Sequence, residues 1–188
     1  MLSTTPKISS YIENNFSTHF EEVVKNTNPK LIVEFGILHG YSLQLFTDFS
    51  DDSCKIHAYD LFEKFPYNAA DYDTIVNKFK KHSKVEVKRM DFFDGHNLYQ
   101  DGEIDIIHID IANNGDTFQF AIENYFKKLS SKGVMILEGG SKERDEVEWM
   151  NRFEKRKINP YLEEIKNEYS VKIIEEYPSL TIIKKLDK

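Results

Sequence analysis

Apolar and polar positions along the chain switch repeatedly between a helical and a strand period. Ile12, Phe16, Phe20, Val23 and Val24 recur at helical spacing within residues 8–26. Asn28-Pro29 predicts the stop, because the residue before a proline is pushed out of the helical region. Leu31-Phe35 reads as a strand, and Leu43, Leu45, Phe46 and Phe49 give the next helical face. Lys55-Tyr59 is a second strand, residues 71–82 a helix, and Val85-Arg89 a third strand. Ile104-Ile109 is the most apolar strand. A helix over Asp116-Leu129 follows it, with Phe118, Ala121, Ile122, Tyr125 and Phe126 facing inward. Lys132-Gly133 leads into the strand Val134-Leu137, and a helix from about Glu143 to Arg156 is expected next, with Ser141 near its N-cap. Near-continuous apolar strands separated by helices indicate a parallel sheet covered on both faces. The end breaks this rhythm: Val171-Tyr177, Pro178-Ser179 and Leu180-Lys185 read as two strands and a tight turn, an antiparallel hairpin.

The segment Leu31-Ile-Val-Glu34-Phe-Gly36-Ile-Leu-His-Gly40-Tyr-Ser42 carries the most chemistry. A buried strand ends in an acid, and a turn with G-x-x-x-G spacing leads into a helix. A dinucleotide turn brings a pyrophosphate to the helix N-terminus, where a carboxylate would repel it. Glu34 suits instead a ligand with a cationic end and no phosphate, such as S-adenosylmethionine. The absence of G-x-G-x-x-G argues against a nicotinamide-dependent oxidoreductase, and the absence of a G-K-[ST] ending excludes a P-loop enzyme.

Length and charge narrow the class. The 188 residues fit one domain, with an N-terminal helical segment over 1–29 and a core over 30–185. A net charge of -7 argues against a nucleic-acid partner. The single cysteine, Cys54, excludes an internal disulfide. Met1-Ser10 holds no apolar signal region, and no apolar run is long enough to span a bilayer. The expectation is a cytoplasmic protein without a membrane partner.

Glu34-Phe-Gly-Ile-Leu-His-Gly40-Tyr-Ser42 resembles the first motif of class I S-adenosylmethionine-dependent methyltransferases, and its Gly-Tyr-Ser ending resembles the catechol-type and small-molecule or sugar O-methyltransferases. The resemblance covers roughly residues 30–185. It implies a Rossmann-like, doubly wound α/β fold: a seven-stranded sheet, mostly parallel, with an antiparallel C-terminal β-hairpin. It also implies cofactor contacts at Glu34, Gly36, Gly40, Ser42, Asp60, Asp91 and Phe92. Glu34 would lie near the methionyl ammonium, Asp60 would accept from the ribose hydroxyls, and Asp91 with Phe92 would hold the adenine. Read from the residues alone, the glycines also serve as turn positions with positive φ, and Asp60, Asp91 and Asp94 as caps.

Transfer of an activated methyl group asks for an aligned nucleophile, exclusion of water and removal of a proton. Ile107-His108-Ile109-Asp110 resembles the family's His-Ile-Asp segment, whose Asp binds a divalent metal, and Glu138 stands where the family has a second acidic ligand. Asp110 and Glu138 would then supply two ligands to magnesium or another divalent cation. The third family ligand is here Gly139, which has no side chain. Asn113 stands where related sugar O-methyltransferases often carry a His. An amide orients a hydroxyl but takes no proton. The catalytic candidates are therefore Asp110, Asn113 and His39. His108, inside a buried strand, is better read as a hydrogen-bonded core histidine. Phe62, Phe65, Pro66 and Tyr67 would frame the pocket, as would Ser141-Asp145, where Lys142 or Arg144 would select an anionic group. Trp149 reads as a core residue or a homodimer contact. The expected function is methylation of a small polar hydroxyl-bearing metabolite or sugar. The alternative is a catalytically silent protein of the same fold that binds the cofactor or a metabolite.

Overall fold

The computed structural model describes residues 9–66 and 68–186. Tyr67 and the first eight residues, which include most of the Met1-Ser10 segment, lie outside them. The described residues open with α1 (Ser10–Glu13) and α2 (Ser17–Thr27) rather than one continuous helix. Asn15, at φ 53°, turns the backbone between them. Asn28 ends α2 in the left-handed conformation, donating its N–H to Val24 O, a conformation asparagine tolerates better than most side chains.

The strands are β1 (Leu31–Phe35), β2 (Lys55–Asp60), β3 (Val85–Arg89), β4 (Ile104–Ile109), β5 (Leu129–Glu138), β6 (Tyr169–Ile174) and β7 (Leu180–Lys185). They form one sheet in the order β3-β2-β1-β4-β5-β7-β6. The first five run parallel, and β7 runs antiparallel between β5 and β6. This is the expected Rossmann-like seven-stranded sheet. The strand period of two sorts its core. Ile32, Ile56, Ile106 and Ile136 face one layer with Phe20, Leu43 and Phe46. Val33, Phe35, Ile107, Ile109, Met135 and Leu137 face the other with Phe118 and Tyr125.

The connections supply α3 (Tyr41–Phe49), α4 (Tyr72–Phe79), α5 (Phe92–Gly95) and α6 (Gly115–Tyr125). The strand β5 begins at Leu129, five residues ahead of the expected Val134, and α6 ends correspondingly early. The helix expected over Glu143–Arg156 is instead two short pieces, α7 (Lys142–Asp145) and α8 (Glu148–Arg152). Val147 between them is extended, at φ -63° and ψ 148°. A further helix, α9 (Ile158–Ile165), was not apparent in the residue pattern. Asp145, the last residue of α7, sets the start of α9. The Asp145 carboxylate accepts the N–H groups of Ile158 at 2.7 Å and Asn159 at 2.8 Å, so it caps a helix thirteen residues downstream. Cys54 is buried, as a plain core position. No helix among the described residues is long and apolar enough to cross a membrane.

Candidate active site

The carboxyl ends of β1, β2, β4 and β5 converge, and register sets which side chains meet there. Glu34 pairs with Ala58 on one side and His108 on the other, while Ile109 pairs with Leu137. Asp110 and Glu138, one residue beyond that last pair, therefore emerge side by side.

Two cavities open at this edge. One, of about 820 Å³, is lined by Tyr11, Ile12, His39, Tyr41, Ser42 and Glu138 among others. The second, of about 770 Å³, is lined by Asp60, Phe65, Asp91, Phe92, Phe93 and Asn114 among others. Gly36, Leu38, Ala69 and Asp110 line both, so they form the shared wall. Each volume falls within the range of small-molecule sites.

Gly36 has φ +90°, and a Cβ there would lie 1.8 Å from the Asp110 carbonyl oxygen. Only glycine permits this approach of two strand ends. Gly40 has φ +71° and precedes α3, packed against the Phe79 ring. Lys78 donates to the carbonyls of His39 and Gly40, which fixes the far side of the turn.

Glu34 is wholly buried. Its Oε1 accepts from Ser42 Oγ at 2.5 Å and contacts His108 Nδ1 at 2.9 Å. His108 Nε2 in turn lies 3.4 Å from the Tyr11 hydroxyl. Glu34 Oε2 is buried and has no hydrogen-bond partner among the described residues. Ser42 thus holds Glu34 and also lines the first cavity.

Asp60 is already saturated. Its Oδ2 accepts from the N–H of Ile37 at 2.7 Å and Leu38 at 3.3 Å, and its Oδ1 from Phe62 N–H at 2.7 Å and Asn68 Nδ2 at 2.9 Å. A carboxylate offers about four acceptor positions, and these four donors occupy them. In this conformation Asp60 organises the glycine turn and the loop after β2, and a ribose hydroxyl would have to displace a donor such as Asn68. Asp91 caps α5 by accepting Phe93 N–H at 3.0 Å. Phe92 is buried, stacked on Tyr125 with centroids 5.1 Å apart, and it lines the second cavity.

Three expectations need correction. Asn113 does not reach either cavity: it is fully buried, and its amide donates to the carbonyls of Ile109 and Glu138, both at 2.9 Å. It straps the loop after β4 to the end of β5 and is removed from the catalytic candidates. Arg144 is not free to meet an anionic substrate, because it is turned inward onto Glu138. Its Nε donates to Oε1 at 2.5 Å and its Nη2 to Oε2 at 3.0 Å. The divalent-metal expectation meets the same obstacle. Both Glu138 oxygens are occupied, and Gly139 offers no ligand. The described residues hold no group of three His, Cys, Asp or Glu side chains arranged for a metal. The residues present do not fit a divalent cation.

Burial sets the acidity of what remains. Burial pushes the Asp110 carboxyl upward, against the opposing pull of His108, Tyr11 and Arg144. Burial also pushes Glu138 up to about 7, although the Arg144 donors pull the other way. Tyr11 is held well above its ordinary value by burial and by the charges of Asp110 and Glu138. His39 is exposed at the rim of the first cavity. Tyr11 and Arg144 are the site residues that periodicity did not single out. The spacing of Glu138, Ser141 and Arg144 held one signal: the Ser141 hydroxyl accepts Arg144 N–H at 3.1 Å, and this cap turns the arginine back toward the strand end. Trp149 is partly exposed, with the Arg144 guanidinium 5.3 Å from its ring centroid.

Comparison with known proteins agrees with this architecture. No curated protein matches the chain in sequence. An O-methyltransferase from Bacillus cereus, solved in complex with SAH, superposes with a TM-score of 0.68 at 16% identity, covering 95% of this chain and 83% of that one. A protein described as a caffeoyl-CoA O-methyltransferase from Staphylococcus aureus gives 0.67 at 18% identity, over 96% and 86%. One described as an rRNA methylase from Clostridium thermocellum gives 0.67 at 12%, over 97% and 99%. The shared fold therefore carries different acceptors, and the acceptor must be argued from the site. Residues 33–138, which hold the glycine turn, Asp60, Asp110 and Glu138, match the methyltransferase domain family model, and the chain belongs to that family.

Proposed function

We propose that the protein is an S-adenosylmethionine-dependent methyltransferase acting on a hydroxyl of a small molecule. One observation carries the reading: Asp110 stands in the wall shared by two cavities, one flanked by Asp60, Asp91 and Phe92 and the other by Tyr11 and His39. Asp91 and Phe92 suit an adenosine while Asp60 positions the turn, and Ser42, which lines the other cavity, holds Glu34 beneath it. These residues fit the cofactor, whose sulfonium supplies an activated methyl group when bound.

Asp110 does the remaining chemistry. Asp110 lines both compartments, and its carboxylate is assigned to take the proton as the acceptor oxygen gains the methyl group. Burial raises its basicity, which favours that step. His39, exposed at the rim, orients or shields the acceptor. Leu38 and Phe65 at the cavity mouths exclude water once a ligand is seated. A net charge of -7 suits a small acceptor better than a polyanion.

The test pairs calorimetry with radiolabelled methyl transfer. S-adenosylmethionine should bind, and Asp60→Ala should weaken it by about 1–3 kcal/mol by loosening the glycine turn. Label should enter the small-molecule fraction of an extract and disappear with Asp110→Asn. Binding without transfer to any fraction would favour the alternative, a silent cofactor-binding protein. Label found in RNA or protein alone would overturn the small-molecule acceptor.

A further inference from the structure

We infer that Arg144 is the resident cation of the acidic pair at the ends of β4 and β5, and that it closes this pair to divalent metals. The inference rests on the methyltransferase reading for its place in the reaction, but its geometry stands apart from it. Asp110 and Glu138 leave neighbouring parallel strands side by side. Two carboxylates so placed attract a cation. The cation is already present, covalently part of the chain.

Three features show that the arrangement is built. Arg144 is 5% exposed, and its planar fork meets both Glu138 oxygens at 2.5 and 3.0 Å. Its position along the chain is fixed by Ser141, which caps α7 through the Arg144 N–H. Its guanidinium also approaches the Asn113 carbonyl at 3.5 Å and lies over the Trp149 ring. A magnesium or manganese ion would need those Glu138 oxygens together with further oxygen ligands in octahedral array. Position 139 cannot supply one. Gly139 has φ +102°, and a Cβ there would meet Ile158 Cδ1 at 2.9 Å. The glycine and the arginine thus exclude the ion by two independent means. The expected consequence is a site whose positive charge never dissociates, so ligand binding is indifferent to chelator.

The test is a manganese titration of the full chain, followed by electron paramagnetic resonance and calorimetry at pH 8. The wild type should show no manganese binding that Glu138→Gln abolishes. Arg144→Ala frees both Glu138 oxygens beside Asp110 and should gain a site at least about tenfold tighter than any in the wild type. Adding Asp110→Asn to that variant should remove it. A wild-type manganese site lost in Glu138→Gln would overturn the inference, as would an Arg144→Ala protein that folds and gains nothing. Should Arg144→Ala not fold, the comparison of wild type with Glu138→Gln decides alone. None of these readouts uses an acceptor or the cofactor, so failure of the methyltransferase reading would leave them intact and be separately visible.

Discussion

His108 Nδ1 lies 2.9 Å from Glu34 Oε1, and both side chains are fully buried. The contact joins β1 to β4 across one rung of the sheet, since Glu34 and His108 are register partners. It fixes the acid at the base of the glycine turn. Replacing His108 by Leu leaves Glu34 with Ser42 as its remaining partner in a dry interior. Removing one partner of a buried hydrogen bond costs about 1–3 kcal/mol. Urea unfolding of His108→Leu should show a loss in that range. A loss below about 0.5 kcal/mol would mean that the contact does not hold Glu34 in place.

Gly36 offers a sharper steric test. A methyl group at that position would overlap the Asp110 carbonyl at 1.8 Å, and the φ of +90° is itself unfavourable for alanine. Gly102 is the matched control, with φ +80° but nothing within 4 Å of its added Cβ. Gly102→Ala should cost only the conformational penalty, about 1 kcal/mol. Gly36→Ala should cost more than about 3 kcal/mol and abolish S-adenosylmethionine binding. Equal thermal shifts in the two variants would show that β1 and β4 separate freely at their ends.

The contrast between these two positions bears on what the residues alone reveal. The sheet was legible because its central strands are continuous apolar runs, and Glu34, Gly36 and Asp60 stand at the predicted strand ends. His108 was rightly expected to be a hydrogen-bonded core residue. What escaped were partnerships across long stretches of chain. Asp145 caps α9, a contact that no local period encodes. Asn113, three residues after Asp110, occupied the expected place for a substrate contact. Its amide instead found two orphan carbonyls inward. Arg144, read from the sequence as a selector of an anionic group, is instead turned onto Glu138. Tyr11 was hidden for a similar reason. Its helix is four residues long, and it reaches the site only because the backbone turns at Asn15.

The last prediction concerns pH. Burial raises the Glu138 carboxyl from 4.5 to about 7, and burial raises Asp110 in the same direction. A raised native value means that the folded protein holds a proton which the unfolded chain has already released. The contribution to stability is full below the unfolded value and is lost as pH rises through the folded one. Between about pH 5 and 7 the unfolding free energy should fall by up to about 1.4 kcal/mol per pH unit through Glu138, with Asp110 acting in the same direction. Above that range Glu138 is ionised and its charge is met by Arg144. Glu138→Gln cannot titrate, so its stability should be lower overall yet flatter across the same window. Denaturant titrations of both proteins at pH 5, 6, 7 and 8 measure the two slopes directly. Parallel slopes would show that Glu138 is ionised throughout, with Arg144 outweighing burial.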